Sequence, residues 1–291
     1  MTQDIENLRQ AIAAGRVISV GVLNTAYEVR LAGKRAFVRH RTLLDSLDYG
    51  QTFAAERFLP DSLAETIPIP KLQAVLCDET GRDSFAVFDF IEGHHPRWNL
   101  RVSSQLAEYL AWTHSHSRAH MGPVSGPSAF QGEPTEFIRL LFGLELQRLP
   151  EQVPNRSALM QLTELALRRL PRYDEGSVRL CHGDVRRENL IQDRAGSLWL
   201  VDWEAARYRV PSSDLNQLPG SWISENSFAA FVKQYARLTS SDAIQLLLEA
   251  DLFRLLWHLR TFNFEATILR RSSSGTAAHL AEAERLARRY Q

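Results

Sequence analysis

Between Leu180 and Ile191 a polar loop joins two short apolar stretches, and it places the carboxylate of Asp184 five residues before the amide of Asn189. Phosphoryl transfer asks for this pair: the carboxylate orients an acceptor hydroxyl and takes its proton, and the amide oxygen holds a magnesium ion that bridges nucleotide phosphates. Thirteen residues after Asn189, Asp202 follows the apolar run Leu198 to Val201 and precedes Trp203 and Glu204. Magnesium prefers carboxylate, amide and phosphate oxygens and is seldom held by protein alone. Asp202 is therefore expected as the principal metal ligand beside Asn189. Glu204 is left open between supporting the metal or its waters and facing the substrate.

Two kinds of texture surround this loop. From about residue 17 to 41 the pattern is strand-like, with runs at Val17 to Val22, Ala26 to Leu31 and Ala36 to Arg39 separated by turn chemistry at Leu23-Asn24 and Ala32-Gly33-Lys34. A short helix is expected over Gln51 to Leu59, stopped by Pro60, and two more strands over Leu72 to Cys77 and Phe85 to Phe90. Beyond Gly93 the spacing turns helical. Helices are expected over Val102 to Ser117, Glu136 to Leu149, Ser157 to Leu170, Phe228 to Tyr235, Ala243 to Leu259 and Ala277 to Tyr290. Short strands are expected at Val178 to Leu180, Leu190 to Gln192 and Leu198 to Val201. The fold class is α+β, with a boundary placed at 92/93.

Composition narrows the partners. The 291 residues carry 34 basic and 34 acidic side chains, so bulk charge points neither to nucleic acid nor to a membrane surface. Two cysteines, Cys77 and Cys181, cannot make a disulfide framework, and the polar, acidic start has no secretory pattern, so a reduced, cytoplasmic setting is expected. No apolar run approaches the roughly 18 to 20 residues that span a bilayer. Small-molecule chemistry remains. Oligomeric state is not readable from the sequence.

The string HGDVRREN, residues 182–189, resembles the His-Gly-Asp-x-x-x-x-Asn catalytic loop of the aminoglycoside phosphotransferase and choline kinase family. VDWEAARYRVPSSDL, residues 201–215, resembles that family's metal-binding segment. Four fixed residues at fixed spacing arise by chance in about one chain per thousand of this length. The resemblance implies a bilobal, protein-kinase-like fold: a nucleotide-binding N-lobe over 1–92, made of a small antiparallel sheet plus a helix, and a mainly helical catalytic and acceptor-binding C-lobe over 93–291. It implies ATP or GTP as phosphoryl donor and Mg2+ as metal. In VGVLNTAYEVRLAGKRAFVRH it finds the phosphate-covering hairpin, where Gly21 stands alone among expected glycines and backbone approach rests on Asn24 and Thr25. Arg39 occupies the place of the phosphate-binding cation, with Arg41 as the alternative, and Glu56 is the helix acid that pairs with it. Backbone groups of Asp89, Phe90 and Ile91 would bind the adenine edge.

Several residues invite other readings. His116 and His120 stand four apart, as metal ligands on one helix face would, but structural histidines are expected there, at His114, and at His94 and His95. His182 and Asp214 are read as scaffold, the latter as a helix-start or loop-bracing carboxylate. Cys181 is expected to be buried and inert. Trp203, Tyr208, Trp222, Trp257, Phe262 and Phe264 could cage a quaternary ammonium, though most are expected in the core. From Ala205 to Gln291 eleven basic residues face eight acids. That excess disfavours a polycationic antibiotic and leaves an amino alcohol, a sugar or a thiamine-like metabolite as acceptor; Arg207, Arg209, Arg270 and Arg271 would tolerate an anionic one. The competing readings are a catalytically inactive kinase-like nucleotide-binding module and a metal-dependent hydrolase.

Overall fold

The computed structural model describes residues 2–20, 24–41, 53–77, 84–124, 132–219, 222–268 and 274–290. Gly21, Arg270 and Arg271, named above, lie outside them. In chain order the elements begin α1 (Thr2–Ala13), β1 (Arg16–Val20), β2 (Asn24–Leu31), β3 (Lys34–Arg41), α2 (Ala54–Arg57), α3 (Asp61–Thr66), β4 (Leu72–Cys77), β5 (Ser84–Asp89) and β6 (Gly93–His94). There follow α4 (Leu100–Thr113), β7 (Gly122–Pro123), α5 (Pro134–Arg148), α6 (Arg156–Arg168), β8 (Arg179–Cys181), β9 (Leu190–Asp193), β10 (Leu198–Leu200) and β11 (Arg207–Arg209). The helices α7 (Glu225–Thr239), α8 (Ala243–Asn263) and α9 (Ser274–Arg288) complete the order. They form two compact units, one of residues 1–96 with 187–206, the other of 97–186 with 207–291. The chain thus passes between the units three times, and one passage falls inside the polar loop, between Arg186 and Arg187.

The first unit is built on a five-stranded antiparallel sheet in the order β1-β2-β3-β5-β4. A two-residue turn at Ala32 and Gly33, both left-handed, joins β2 to β3, as the right-handed twist of a hairpin favours. One face of the sheet receives α1, whose Ile5 and Leu8 are buried against Val29, Val38, Phe85 and Val87. The other face carries Phe53, Ala86 and Phe88. The sequence reading gave α1 no element, because five apolar residues in twelve, two of them alanines, leave a narrow stripe. It also expected one helix over 51–59, part of which lies outside the described residues. Instead a single turn at α2 is followed by α3, which starts directly after Pro60.

A second sheet, β10-β9-β6, belongs to the same unit. Gly93 pairs with Asp193 in a position where a Cβ would sit 2.6 Å from Ile191 Cγ2 and closer still to the Gln192 carbonyl. Gly93→Ala is expected to destabilise the chain by about 1–3 kcal/mol through overpacking. Urea denaturation reads this, and a midpoint equal to that of the unaltered chain would refute it.

The second unit is mainly helical, with a small sheet β7-β11-β8. Apolar residues of α5, α6, α8 and α9 share one core around Phe142, Leu159, Leu255 and Leu286. Asn99 caps α4 by accepting from Val102 N–H at 3.0 Å, and Asp242 caps α8 by accepting from Ile244 and Gln245. Helix α4 was expected to run to Ser117 but stops at Thr113, since Ser117 bridges to Arg179 beside β8. His116 and His120 therefore share no helix face. Among the described residues no helix is long and apolar enough to cross a membrane.

Candidate functional site

Arg39 projects from the middle of β3 into the first unit and is only 4% exposed. Its Nη2 donates to Glu56 Oε1 at 2.9 Å and to Glu204 Oε2 at 2.8 Å, and its Nη1 donates to Asp202 Oδ1. The rings of Phe53 and Phe88 lie 4.9 and 5.6 Å from the guanidinium carbon, adding cation–π attraction. Three carboxyls thus surround one buried cation. Asn24 at the start of β2 joins them by donating Nδ2–H to Glu204 Oε2 at 2.9 Å. Arg41 stands two residues further along β3, opposite Asn24, and its charge bears on Glu204.

Burial alone would make Arg39 harder to charge, but Asp202, Glu204 and Glu56 reverse this and raise its pKa. The acids share the converse problem. Burial pushes the Glu56 carboxyl up to about 7, with Arg39 opposing and Glu204 and Asp202 adding to the rise. Burial likewise raises Glu204 against the pull of Arg39. Among the described residues Asn24 Oδ1, Arg39 Nε and Glu56 Oε2 are buried without a hydrogen-bond partner.

Backbone geometry brings Asn189 and Asp202 to the same end of the small sheet. Asn189 closes a 3₁₀ turn, is 4% exposed, and accepts through its carbonyl from Val201 N–H at 3.0 Å. Asp202, the next residue, has φ 67° and ψ 63°. Left-handed backbone at a non-glycine residue costs on the order of 1–3 kcal/mol and persists where the surroundings over-determine it.

The segment expected at the adenine edge stands elsewhere on the sheet. Asp89 pairs with Ala36, three residues from the Arg39–Ala86 pair, so it lies roughly 10 Å along the strand. Its N–H donates to Lys71 O at 3.1 Å and its carboxylate accepts from Gln73 Nε2 at 2.7 Å. The Phe90 ring carries the Arg35 guanidinium 3.9 Å above its face, and Ile91 is half-buried.

In the second unit, β8 delivers His182, Gly183 and Asp184. Asp184 is partly exposed; its Oδ2 lies 3.1 Å from Arg186 Nε, and its N–H donates to His182 Nδ1 at 3.3 Å. Gly183 has φ 85°, a conformation that glycine adopts without strain. Asp214, expected at a helix start or as a brace, ends the 3₁₀ turn Pro211–Asp214, and no helix follows it until α7. Its Oδ2 accepts from His182 N–H and its Oδ1 from Gly183 N–H, both at 2.7 Å, and His114 Nε2 lies 3.1 Å from Oδ2. Burial would raise the Asp214 carboxyl, but these contacts hold it below its ordinary value. His114 is anchored in turn by Tyr235 Oη at 2.6 Å from Nδ1. Cys181 completes a grouping of possible metal-ligand atoms with His114 and Asp214 within 4.8 Å, the only such group among the described residues. Burial drives its thiol well up, and it faces the carbonyls of Arg179, Arg209 and Val210.

Sequence reasoning did not find the Arg186 contact to Asp184 or the two N–H groups converging on Asp214. The Ser-Ser-Asp triplet was the available signal. Three of the six aromatics have contacts of their own: Trp203 donates to Leu200 O, Trp222 packs on Trp98, and Trp257 packs on His258 and His279.

Residues 14–253 match the phosphotransferase enzyme family. The chain belongs to that family. Solved structures carry the same protein-kinase-like fold along nearly the whole length. Choline kinase LicA from Streptococcus pneumoniae superposes with a TM-score of 0.67 at 18% identity, covering 98% of this chain and 99% of its own. A putative fructosamine-3-kinase from Haemophilus somnus gives 0.65 at 18% identity, covering 97% of this chain and 96% of its own. A thermostable mutant of an aminoglycoside phosphotransferase, in ternary complex with AMP-PNP and hygromycin B, gives 0.68 at 14% identity, covering 99% and 96%. The α+β expectation, with an N-terminal antiparallel sheet and a mainly helical remainder, holds.

Proposed function

We propose that the chain is a small-molecule kinase that moves the γ-phosphate of ATP or GTP to a hydroxyl of a small acceptor with the help of Mg2+. The arrangement around Arg39 carries this reading. One guanidinium set among Glu56, Asp202 and Glu204 leaves two negative charges that it does not itself balance when all three acids ionise, offset in part by the Arg41 charge that bears on Glu204, in surroundings where charge is costly. Among the described residues the metal-ligating atoms that the Arg39 cluster offers are the oxygens of Asn24, Glu56, Asp202 and Glu204, and Asn24 Oδ1 and Glu56 Oε2 have spare acceptor capacity. A hard divalent cation fits such a set. Asn189 and Asp202 would hold it, and when bound it would neutralise charge on the nucleotide phosphates.

The chain's own residues have distinct tasks in this scheme. Arg39, oriented by Glu56, presents its charge to the α and β phosphates, and Asn24 and Glu204 fix the edge of that cluster. Backbone groups of Asp89, Phe90 and Ile91 take the adenine edge, with the Phe90 and Ile91 positions favoured because Asp89 N–H is already engaged. Asp184 accepts the proton of the acceptor hydroxyl, and Asp214 holds its loop. The first unit binds nucleotide and the second binds acceptor. ADP formation that depends on magnesium and on one member of an acceptor panel (choline, ethanolamine, thiamine, sugars, homoserine, aminoglycosides) tests the reading. Phosphate release without a phosphorylated acceptor would replace it by a hydrolase, and nucleotide binding without turnover on any acceptor by an inactive module.

A linked prediction concerns protons. In the metal-free chain Glu56 titrates near 7 instead of 4.5, so between those values the folded state binds more protons than the unfolded one. Its contribution to stability is full below about 4.5 and is lost as pH rises to about 7, a span of about 3 kcal/mol. Urea unfolding in EDTA is expected to show wild type losing this much more than Glu56→Gln between pH 4.5 and 7.5. Parallel pH profiles would refute the assignment.

A further inference from the structure

The scheme above gives no task to the pair of histidines that α8 and α9 bring together. His258 lies in the last third of α8 and His279 in the first half of α9, 21 residues apart in sequence, and their Nδ1 atoms stand 2.9 Å from each other. Trp257 is nearly perpendicular to both rings, with centroids at 4.8 and 5.2 Å. Both imidazoles are half-buried, so an ion from solvent reaches them. One proton shared between the Nδ1 atoms makes a hydrogen bond. The Nε2 atoms, without a protein partner among the described residues, are left to water, which serves as the outer partner that a metal-bound imidazole needs. His114 differs, since Tyr235 and Asp214 take both of its nitrogens.

Ligation asks for neutral imidazoles whose lone pairs converge on one point. Burial first, and then His279, pull His258 down to about 4, so it is uncharged at neutral pH. The charged groups that bear on His258 are Arg254, one turn before it on α8, and Glu282 and Arg285 on α9. Glu282 takes both guanidiniums, Arg254 at 2.8 Å and Arg285 at 2.6 Å, and Glu225 meets Arg254 from α7 at 3.2 Å. Arg289 also reaches Glu225 but has Asp251 beside it. Two guanidiniums and two carboxylates cancel, so no net charge bars a dication.

The spacing selects a coordination geometry. A metal about 2.0–2.1 Å from each nitrogen meets a pair 2.9 Å apart at roughly 90°. A tetrahedral centre such as zinc would part the nitrogens to about 3.3 Å. Neighbouring positions of a square-planar or octahedral centre fit the pair as it stands, and imidazole suits copper and nickel. Two protein ligands leave the remaining positions to water.

We propose that His258 and His279 form a binding site for one divalent transition-metal ion that takes ligands at right angles, Cu2+ or Ni2+, and that the bound ion clamps α9 onto α8. The site is independent of the kinase reading: the Arg39 cluster offers hard oxygens to magnesium, and this pair offers two imidazole nitrogens.

The test takes the full chain without an affinity tag, stripped with EDTA and dialysed, and titrates it with NiCl2 and with CuCl2 in excess MgCl2. Heat, tryptophan emission and the thermal midpoint are followed. One equivalent is expected to bind, to quench Trp257 and to raise the midpoint, because only the folded chain holds the two rings together. His258→Gln and His279→Gln should each weaken binding at least about tenfold, no less than the loss of an outer partner does. Trp257→Phe should keep the heat of binding and lose the quench, a check that stands even where a glutamine variant fails to fold. Asp202→Asn should leave all three readouts in place. Absence of binding, binding that survives both glutamine variants, or binding lost in Asp202→Asn overturns the site and leaves a hydrogen bond between two histidines. A quench that persists undiminished in Trp257→Phe overturns it as well. Zn2+ binding more tightly than Cu2+ overturns the right-angled geometry.

Discussion

Asp184→Asn is expected to lower magnesium-dependent phosphorylation of the acceptor by about 10²–10⁴-fold, the usual contribution of a positioned general base. The asparagine keeps the size of the side chain and its place after Gly183, and loses only the ability to take a proton and the charge facing Arg186 at 3.1 Å. Nucleotide affinity should be unchanged, because Arg39, Glu56, Asn189 and Asp202 belong to the first unit and Asp184 to the second. The loss therefore falls on kcat. Turnover within tenfold of wild type would remove Asp184 from the role of base, and a parallel loss of nucleotide binding would make it a structural residue.

Asp214→Ala should cost about 3–5 kcal/mol of stability, the scale for removing one partner of a buried charged network. The carboxylate is 1% exposed and accepts from His182 N–H and Gly183 N–H while facing His114. Alanine leaves two backbone donors buried and unmatched, each with a penalty of about 1–3 kcal/mol. Asp214→Asn is the milder probe. It retains one acceptor oxygen and turns an amide N–H toward a donor, so it should lose less stability while still loosening the Gly183 turn. Denaturant unfolding of both variants checks this. An alanine variant within about 1 kcal/mol of wild type would mean that the loop is held by something else.

The sequence was most legible where short-range chemistry decides structure. The Ala32-Gly33 turn, the strand at 72–77 and the helix that starts at Ala243 follow from turn residues, an apolar run and helical spacing, all read within a few positions. Longer-range pairings were visible only as a pattern of residue types. Glu56 and Arg39 were matched through resemblance, but nothing local foretold that Glu204 would also bind Arg39, since 165 residues separate the two. Helix α1 went unread because its stripe gains meaning only against the sheet it covers. The end of α4 was overrun because the stop signal is a bridge from Ser117 to Arg179 and not a glycine or proline. β11 was not recognised as a strand, so Arg207 and Arg209 could not be placed on one face. The position of Asn189 near Asp202 follows from the register of the β9–β10 pair, which the Val201 N–H to Asn189 O bond extends, and no side chain announces it.

The interleaving of the two units has a consequence for the newborn chain. Arg39 is made early, but Asp202 lies 163 residues later. At about 5–20 residues per second, synthesis takes roughly 8 to 33 seconds to cover that interval. Throughout it the N-terminal sheet can offer its central arginine Glu56 and no other acid of the final cluster. The sheet therefore cannot reach its finished electrostatic state on the ribosome until about half of the second unit's chain has been made, and its β-rich core spends that time waiting for a partner segment encoded far downstream.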